Sequence, residues 1–418
     1  MITIPADSLR QGRPGPEALR MALRQFEAGL PRLNRLARYY EGRHDIAGRA
    51  RLPGLPNTRL AHAFPRYIAQ VSAAYLLGEP VRLEGPEPAT GALRALLARA
   101  GADSVDAQLA LHQAVYGRAV SLCYEDAAGQ PRLCALDPRA ACVVHDDTVA
   151  QVPLFGLCLG QGPAREMSVY TPHEVLLTDS QGRVRQARPH AFGALPMAEY
   201  PNGGDGQGDF EQVLALVDAY DLLQSDRLND RQQFSDALLV LTGVMGIAED
   251  GLEGPGALER LRQEKTLALP DEHARAEWLV KTPLERDIEV LREALAQDIH
   301  KFSLTPDFSD VRFAGNASGI AIKYKLFNFD NRVKLKERFF TQGLMGRAEA
   351  LCGWLDQRQG LRLRAEELRF ILSRRLPVNE LERAQTLAQL RDIVPLATLR
   401  HNAPLTPAPG DEGVGGEQ

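Results

Sequence analysis

Few residues in this chain have the types and spacing that chemistry requires. FAGNASG, residues 313–319, has the glycine and asparagine of a phosphate-binding loop. It lacks the G-x-x-x-x-G-K-S/T pattern and follows no strand, so neither the lysine nor the local geometry that a phosphate needs is in place. Asn316-Ala317-Ser318 fits a glycosylation sequon. The leading stretch MITIPADSLRQGRPG, however, lacks the basic-then-apolar layout of a secretory signal, which predicts synthesis in the cytoplasm. His145-Asp146-Asp147 reads as a hairpin turn, because no other ligand spacing supports a metal. Cys123, Cys134, Cys142, Cys158 and Cys352 have no CxxC spacing and read as buried free thiols. His44-Asp45 and His300 read as surface or packing positions. No GxSxG, HExxH or carboxylate pair stands out. The chain reads as a protein without enzymatic activity or cofactor.

Charge carries more information. The 418 residues have a net charge of −5, which argues against a generic basic nucleic-acid binder but is compatible with a protein that encircles DNA without gripping it. On a helix read over 210–242, Val213, Leu216, Val217, Tyr220 and Leu223 form one stripe. Asp218, Asp221, Asp226, Asp230 and Asp236 occupy other faces. Such a face is normally solvated, and in a ring of helices it would line a channel. Lys323, Lys325, Arg332, Lys334, Lys336 and Arg338 cluster in the first half of a second long helix, read over 319–355, where Gly343, Gly346 and Gly353 suggest a kink or an end.

These residues must be positioned by several elements, since the chain is too long for one ordinary core. No apolar run approaches the ~20 residues of a membrane helix. Residues 1–50 read as helical after a loose start, and 62–77 as a second helix. LRALLARA and VDAQLALHQAV supply two short ones. From Ala119 short apolar runs separated by Gly, Pro and Asp predict an antiparallel sheet of hairpins, and PNGGDGQGD, residues 201–209, a flexible boundary. Between 243 and 282 the pattern is a small α/β insertion: EDGLEGPG a turn, ALERLRQEK a helix, TLALP and AEWLVK strands. Ile288, Leu291, Leu295, Ile299 and Phe302 then mark one face of a returning helix. LRFILSRRLPVN reads as a strand and 380–400 as a pair of short helices. Pro306, Asp307, Ser309 and Asp310 stop the returning helix, Gly315 and Asn316 tolerate positive φ, and Ser318 caps the next one. A tight loop is thus presented between two stiff supports, where function is often carried.

FSLTPDFSDVRFAGNASGIAIKYKL, Phe302–Leu326, resembles the helix–tunnel-loop–helix segment of siphophage-type portal proteins, the head–tail connectors of tailed bacteriophages. RYYEGRHDI with PNTRLAHAFPRYIAQVSAAYLLGEPV, then HAFGALPMAEYPN, then GDFEQVLALVDAYDLLQSDRLNDRQQFSDALLVLTG are similar to further blocks of that family, in family order and over most of the chain.

The resemblance implies an α+β subunit of several parts. Residues 1–209 would be the wing, 210–242 and 283–306 the two stem helices, 243–282 the clip, and 307–318 the tunnel loop. Residues 319–355 would be a long helix toward wing and crown, 356–378 a return strand of the wing, 379–402 a crown short for the family, and 403–418 a disordered tail. It further implies a homo-oligomeric ring, generally dodecameric in the virion, at one capsid vertex and assembled in the host bacterial cytoplasm. Double-stranded DNA would pass through it without sequence reading. The partners would be the terminase large subunit, which hydrolyses ATP, the major capsid and scaffolding proteins, and a head-completion adaptor, with no membrane. The alternatives are another ring-forming phage head–tail or DNA-binding structural protein, or an enzyme. On this reading Asp307, Asp310, Arg312, Gly315, Asn316 and Ser318 face DNA from a mobile loop whose charges nearly cancel. Lys323 and Lys325 lie beside it, Asp226 and Asp230 line the stem channel, and Trp278 anchors the clip.

Overall fold

The computed structural model describes residues 1–53, 55–160, 166–179, 181–234, 238–242, 275–279, 285–309, 319–374 and 388–390. In chain order, β1 (Ile2–Ile4), β2 (Leu9–Arg10) and β3 (Arg13–Pro14) lead into α1 (Pro16–Tyr40). α2 (Phe64–Leu76), β4 (Arg82–Glu84), α3 (Ala89–Arg99) and α4 (Ala102–Tyr116) follow. Next come β5 (Arg118–Glu125), β6 (Pro131–Leu136), β7 (Ala141–Asp146), β8 (Pro153–Leu159), β9 (Met167–Tyr170), β10 (Glu174–Thr178), β11 (Val184–Pro189) and β12 (Met197–Pro201). The remaining elements are α5 (Leu214–Phe234), β13 (Leu238–Thr242), β14 (Arg275–Leu279), α6 (Glu285–Phe302), α7 (Gly319–Gln359) and β15 (Arg369–Ile371). The chain divides into two compact units. The first comprises Met1–Gly42, Ala63–Leu214 and the described residues from Ile299 onward; the second comprises Arg43–His62 and Ala215–Asp298.

In the first unit, β1-β7-β8-β9-β10-β11 form one sheet and β12-β5-β6 another. The pairing is antiparallel, as the hairpin pattern predicts, with one exception: β1 runs parallel to β7, with Ile2 opposite Val144. The loose start expected of the N-terminus is therefore a sheet edge, with Ile2 and Ile4 buried. α1 covers this sheet, its Leu19, Ala22 and Phe26 packing with Val144, Phe155 and Leu157.

α7 is the spine of the unit. Phe329, Val333, Phe340 and Leu344 share a core with Leu76, Leu109 and Tyr200, and further along Leu351, Trp354 and Leu355 join Leu93 and Phe192. Arg347 makes a buried bidentate pair with Asp106 of α4. The helix continues through all three glycines to Gln359, so the expected end does not fall there. Instead two glycines permit close approach. A Cβ on Gly343 would run into the Tyr200 ring, and one on Gly353 into the Phe192 carbonyl oxygen.

The glycine-rich stretch 201–209 is fastened as well. Gly117, with φ 79°, lies against the Gly206 carbonyl. The Asp209 amide donates to Ala114 O at 2.7 Å, and Asn202 Nδ2 donates to Gln207 O at 2.7 Å. Gly208 packs tightly, since a Cβ there would run into the Val115 carbonyl oxygen, whereas Gly204 and Gly206 have open space around them.

In the second unit, α5 ends at Phe234, short of the helix expected to reach 242, because Leu238–Thr242 pairs as β13 with β14. Consecutive apolar residues without a 3.6 period suit a strand better than one helical face. Trp278 stands opposite Leu239 in that register. The AEWLVK run thus contains a strand, while the turn, helix and first strand expected from EDGLEGPG, ALERLRQEK and TLALP lie outside the described residues.

The segment Arg43–His62 is held along one polar face of α5. Asn229 Oδ1 accepts the Thr58 amide at 2.6 Å, Ser225 Oγ the Leu60 amide at 2.9 Å, and Asp221 Oδ1 the His62 amide at 2.8 Å. Alternate residues of an extended chain advance ~6.6 Å, close to the ~6 Å spanned by four helical residues, so the two repeats stay in step.

Candidate functional site

The chain leaving α6 is fastened over residues 303–309. α6 closes with the Ser303 amide on Ile299 O, and Leu304, at φ 53°, turns the chain out of the helix. His300 packs edge-on against Phe64 and Tyr67, and its Nδ1 donates to Thr305 O at 3.0 Å. The Tyr67 hydroxyl on α2 bridges the turn: it donates to Pro306 O and accepts the Phe308 amide, each at 2.9 Å. Burial raises the Tyr67 pKa, so the hydroxyl stays a donor. Asp307 accepts from Ser309 N at 2.9 Å and Ser309 Oγ at 2.6 Å. Burial pushes its pKa upward, but these hydrogen bonds and His300 outweigh that and hold it below the usual carboxylate range.

Behind the turn lies a buried ion cluster. Arg332 of α7 donates to Ser303 O and, at 2.9 Å, to Asp209 Oδ1. Lys336, one turn on, donates to Asp209 Oδ2 at 2.7 Å and to Ser72 Oγ at 3.0 Å. Asp209 is fully buried. Desolvation alone would raise its pKa, yet Lys336 and Arg332 outweigh that and hold it below the normal range. Burial draws the Lys336 ammonium below its usual value against the pull of Asp209. One carboxylate therefore joins the α6 end, α2, α7 and the 201–209 loop.

A second cluster belongs to the other unit. His44 Nδ1 donates to Asp221 Oδ2 at 2.6 Å and His62 Nδ1 to Oδ1 at 2.8 Å, with Tyr220 edge-on to the His62 ring. Asp221 is buried, and although desolvation raises its pKa, the two imidazole donors bring it below the usual range.

Of the residues singled out in the sequence, Asp307 stands at this turn, with its carboxylate already engaged. Asp310, Arg312, Gly315, Asn316 and Ser318 lie outside the described residues, as do most of the crown and tail. Lys323 and Lys325 are exposed near the start of α7. Asp226 is ion-paired, with Arg49 at 2.8 Å and with Arg51. Asp230 is partly buried. Asp221 is not on a solvated face at all, because residues 43–62 cover it, and Arg332 and Lys336 turn inward rather than extend the basic face. The two buried clusters were missed, although a signal exists for each. Lys336 falls in register with Phe329, Val333 and Phe340, and Asp221 one turn after Val217. A charge inside an apolar period points to a buried partner.

Replacing Tyr67 with Phe removes the donor to Pro306 and the acceptor for Phe308. The expected result is exchange of the Phe308 amide about tenfold faster, as about 1.4 kcal/mol of lost local protection gives. Native-state hydrogen exchange reads it, and unchanged protection of Phe308 would show that the bridge carries no weight.

Among the described residues no helix is long and apolar enough to cross a membrane, and no group of three or more His, Cys, Asp or Glu could hold a metal ion. The fold is that of a chain in the neck of an empty gene transfer agent particle computed with C6 symmetry (TM-score 0.50, 14% identity, covering 83% of this chain and 91% of that one). A chain in the neck of the native particle computed with C12 symmetry matches with TM-score 0.49 and 13% identity, over 82% and 90% of the two chains. A portal protein of Clostridium phage phiCD119 is 24% identical over 229 residues, 51% of this chain and 46% of the relative, so the match spans about half the length of that curated relative. Residues 22–411 match the family described as phage portal protein, SPP1 Gp6-like. The chain belongs to the SPP1 Gp6-like phage portal protein family.

Proposed function

We propose that copies of this chain form a ring at one capsid vertex, the channel through which double-stranded DNA is packaged and ejected. The family match over residues 22–411 carries this reading. Leu291 and Phe302, on the stripe expected to be one apolar face of α6, are half exposed in the single chain, which supports burial against neighbours. In this reading α5 and α6 form the stem, the insertion 243–282 the clip that docks the terminase large subunit and the head-completion adaptor, and 307–318 the tunnel loop. Residues 1–209 supply the wing, with 43–62 packed on the stem helix. ATP hydrolysis falls to the terminase. A channel should hold DNA loosely, because each phosphate firmly neutralised adds affinity and slows sliding. Asp226 and Asp230 are candidates for the channel wall, and the pairing of Asp226 with Arg49 and Arg51 makes that wall less acidic than its carboxylates suggest. Light scattering and negative-stain images of the purified chain test the reading. The expected result is a ring with a through-channel; a stable monomer at micromolar concentration under several salt conditions would overturn it.

A further inference from the structure

Two helices of this chain leave apolar stripes in solvent, and their borders carry opposite charge. On α7, Tyr324 (78% exposed), Phe327 (60%) and Leu335 (55%) fall at i, i+3 and i+11, one side of the helix. Every exposed charged residue between 323 and 338 is basic, while the acids of that stretch, Asp330 and Glu337, are partly buried and paired with Lys334 and Arg374. On α6, Val290 (61%) and Leu291 (50%) are exposed beside Ala294. Acids outnumber bases there: Asp287 and Glu293 flank the stripe against the exposed Arg286, and Glu289 is engaged by Arg227 and Arg292. Both stripes are solvent-exposed in the lone chain.

We infer that the exposed stripe of α6 in one copy packs against the exposed stripe of α7 in the next, forming a head-to-tail contact between copies of this chain. This rests on the ring reading above and names the surfaces that build it. The contact joins two different patches, so it is heterologous and generates a ring when the rotation closes. An apolar centre with a charged rim is the usual anatomy of such a contact, and the opposite rim charges set partner and register.

The test is charge exchange in the full chain without DNA, read by sedimentation velocity at low and high salt. Lys323→Glu with Arg338→Glu is expected to weaken assembly at least tenfold while the circular dichroism spectrum stays that of the parent. Adding Asp287→Lys and Glu293→Lys restores opposite charge and is expected to restore the ring. A first variant that assembles like the parent overturns the inference, whether or not it has lost the binding of some other protein. So does a fourfold variant that is folded but still monomeric. A parent chain that is itself a monomer overturns the ring reading instead.

Discussion

Asp209→Ala is expected to destabilise the first unit by about 3–5 kcal/mol, the range found when one partner of a buried ion cluster is removed. The alanine leaves the Lys336 ammonium, almost wholly buried, with only Ser72 as acceptor. Lys336→Met should cost less, because Arg332 still holds the carboxylate. Asp209→Leu combined with Lys336→Met should recover part of the loss, since an apolar pair replaces that buried ion pair without desolvation while Arg332 keeps the backbone carbonyls of residues 303 and 209. The carboxylate has a folded pKa below its unfolded value of ~3.9. Its contribution is therefore present above that unfolded value and disappears as pH falls through the lower folded one. Urea titration of the variants between neutral and acid pH checks both statements. Equal midpoints for Asp209→Ala and the parent at neutral pH would remove the cluster from the account of stability.

The second large effect is a contrast within one helix. Gly353→Ala places a methyl group on the Phe192 carbonyl oxygen, where backbone must move. Overpacking of this kind costs about 1–3 kcal/mol. Gly346→Ala meets only the Ala198 Cβ at 3.5 Å, an ordinary contact. It should stabilise by up to about 1 kcal/mol, because alanine is the better helix former. The same substitution seven residues apart thus changes sign, which thermal or urea unfolding will show. Two changes of the same sign would mean that α7 and the 190–193 stretch do not meet as closely as described.

These glycines mark where sequence reading failed. A glycine in a helical pattern signals either a break or a close neighbour, and the neighbour, here Phe192 or Tyr200, is distant in sequence. Helix periods, by contrast, are local, so α1 through α4 and the hairpins after Ala119 were legible from apolar spacing alone. β1 was not, because three residues give no period and its partners on β7 lie 142 residues away. The α6–α7 connection was placed by its proline, its glycine and its likeness to portal tunnel loops, but its fastening was invisible. Nothing adjacent in sequence links Tyr67 to Pro306, or Asp209 to Lys336. The polar face of α5 was read as solvated because charge usually means solvent. Only the cover supplied by residues 43–62 makes Asp221 a buried acceptor.

That cover has a consequence for the order of events during synthesis. His44 leaves the ribosome long before Asp221, 177 residues further on, and the whole of α2 through β12 is made in between. Until α5 emerges, the amides of Thr58, Leu60 and His62 lack the side chains that receive them. The second unit therefore cannot close before much of the first has been made, and the loop it must close is long and entropically slow. A nascent chain halted shortly after Gly208 would hold residues 43–62 without α5 and open to proteases. One halted well past Phe234 would have them sheathed.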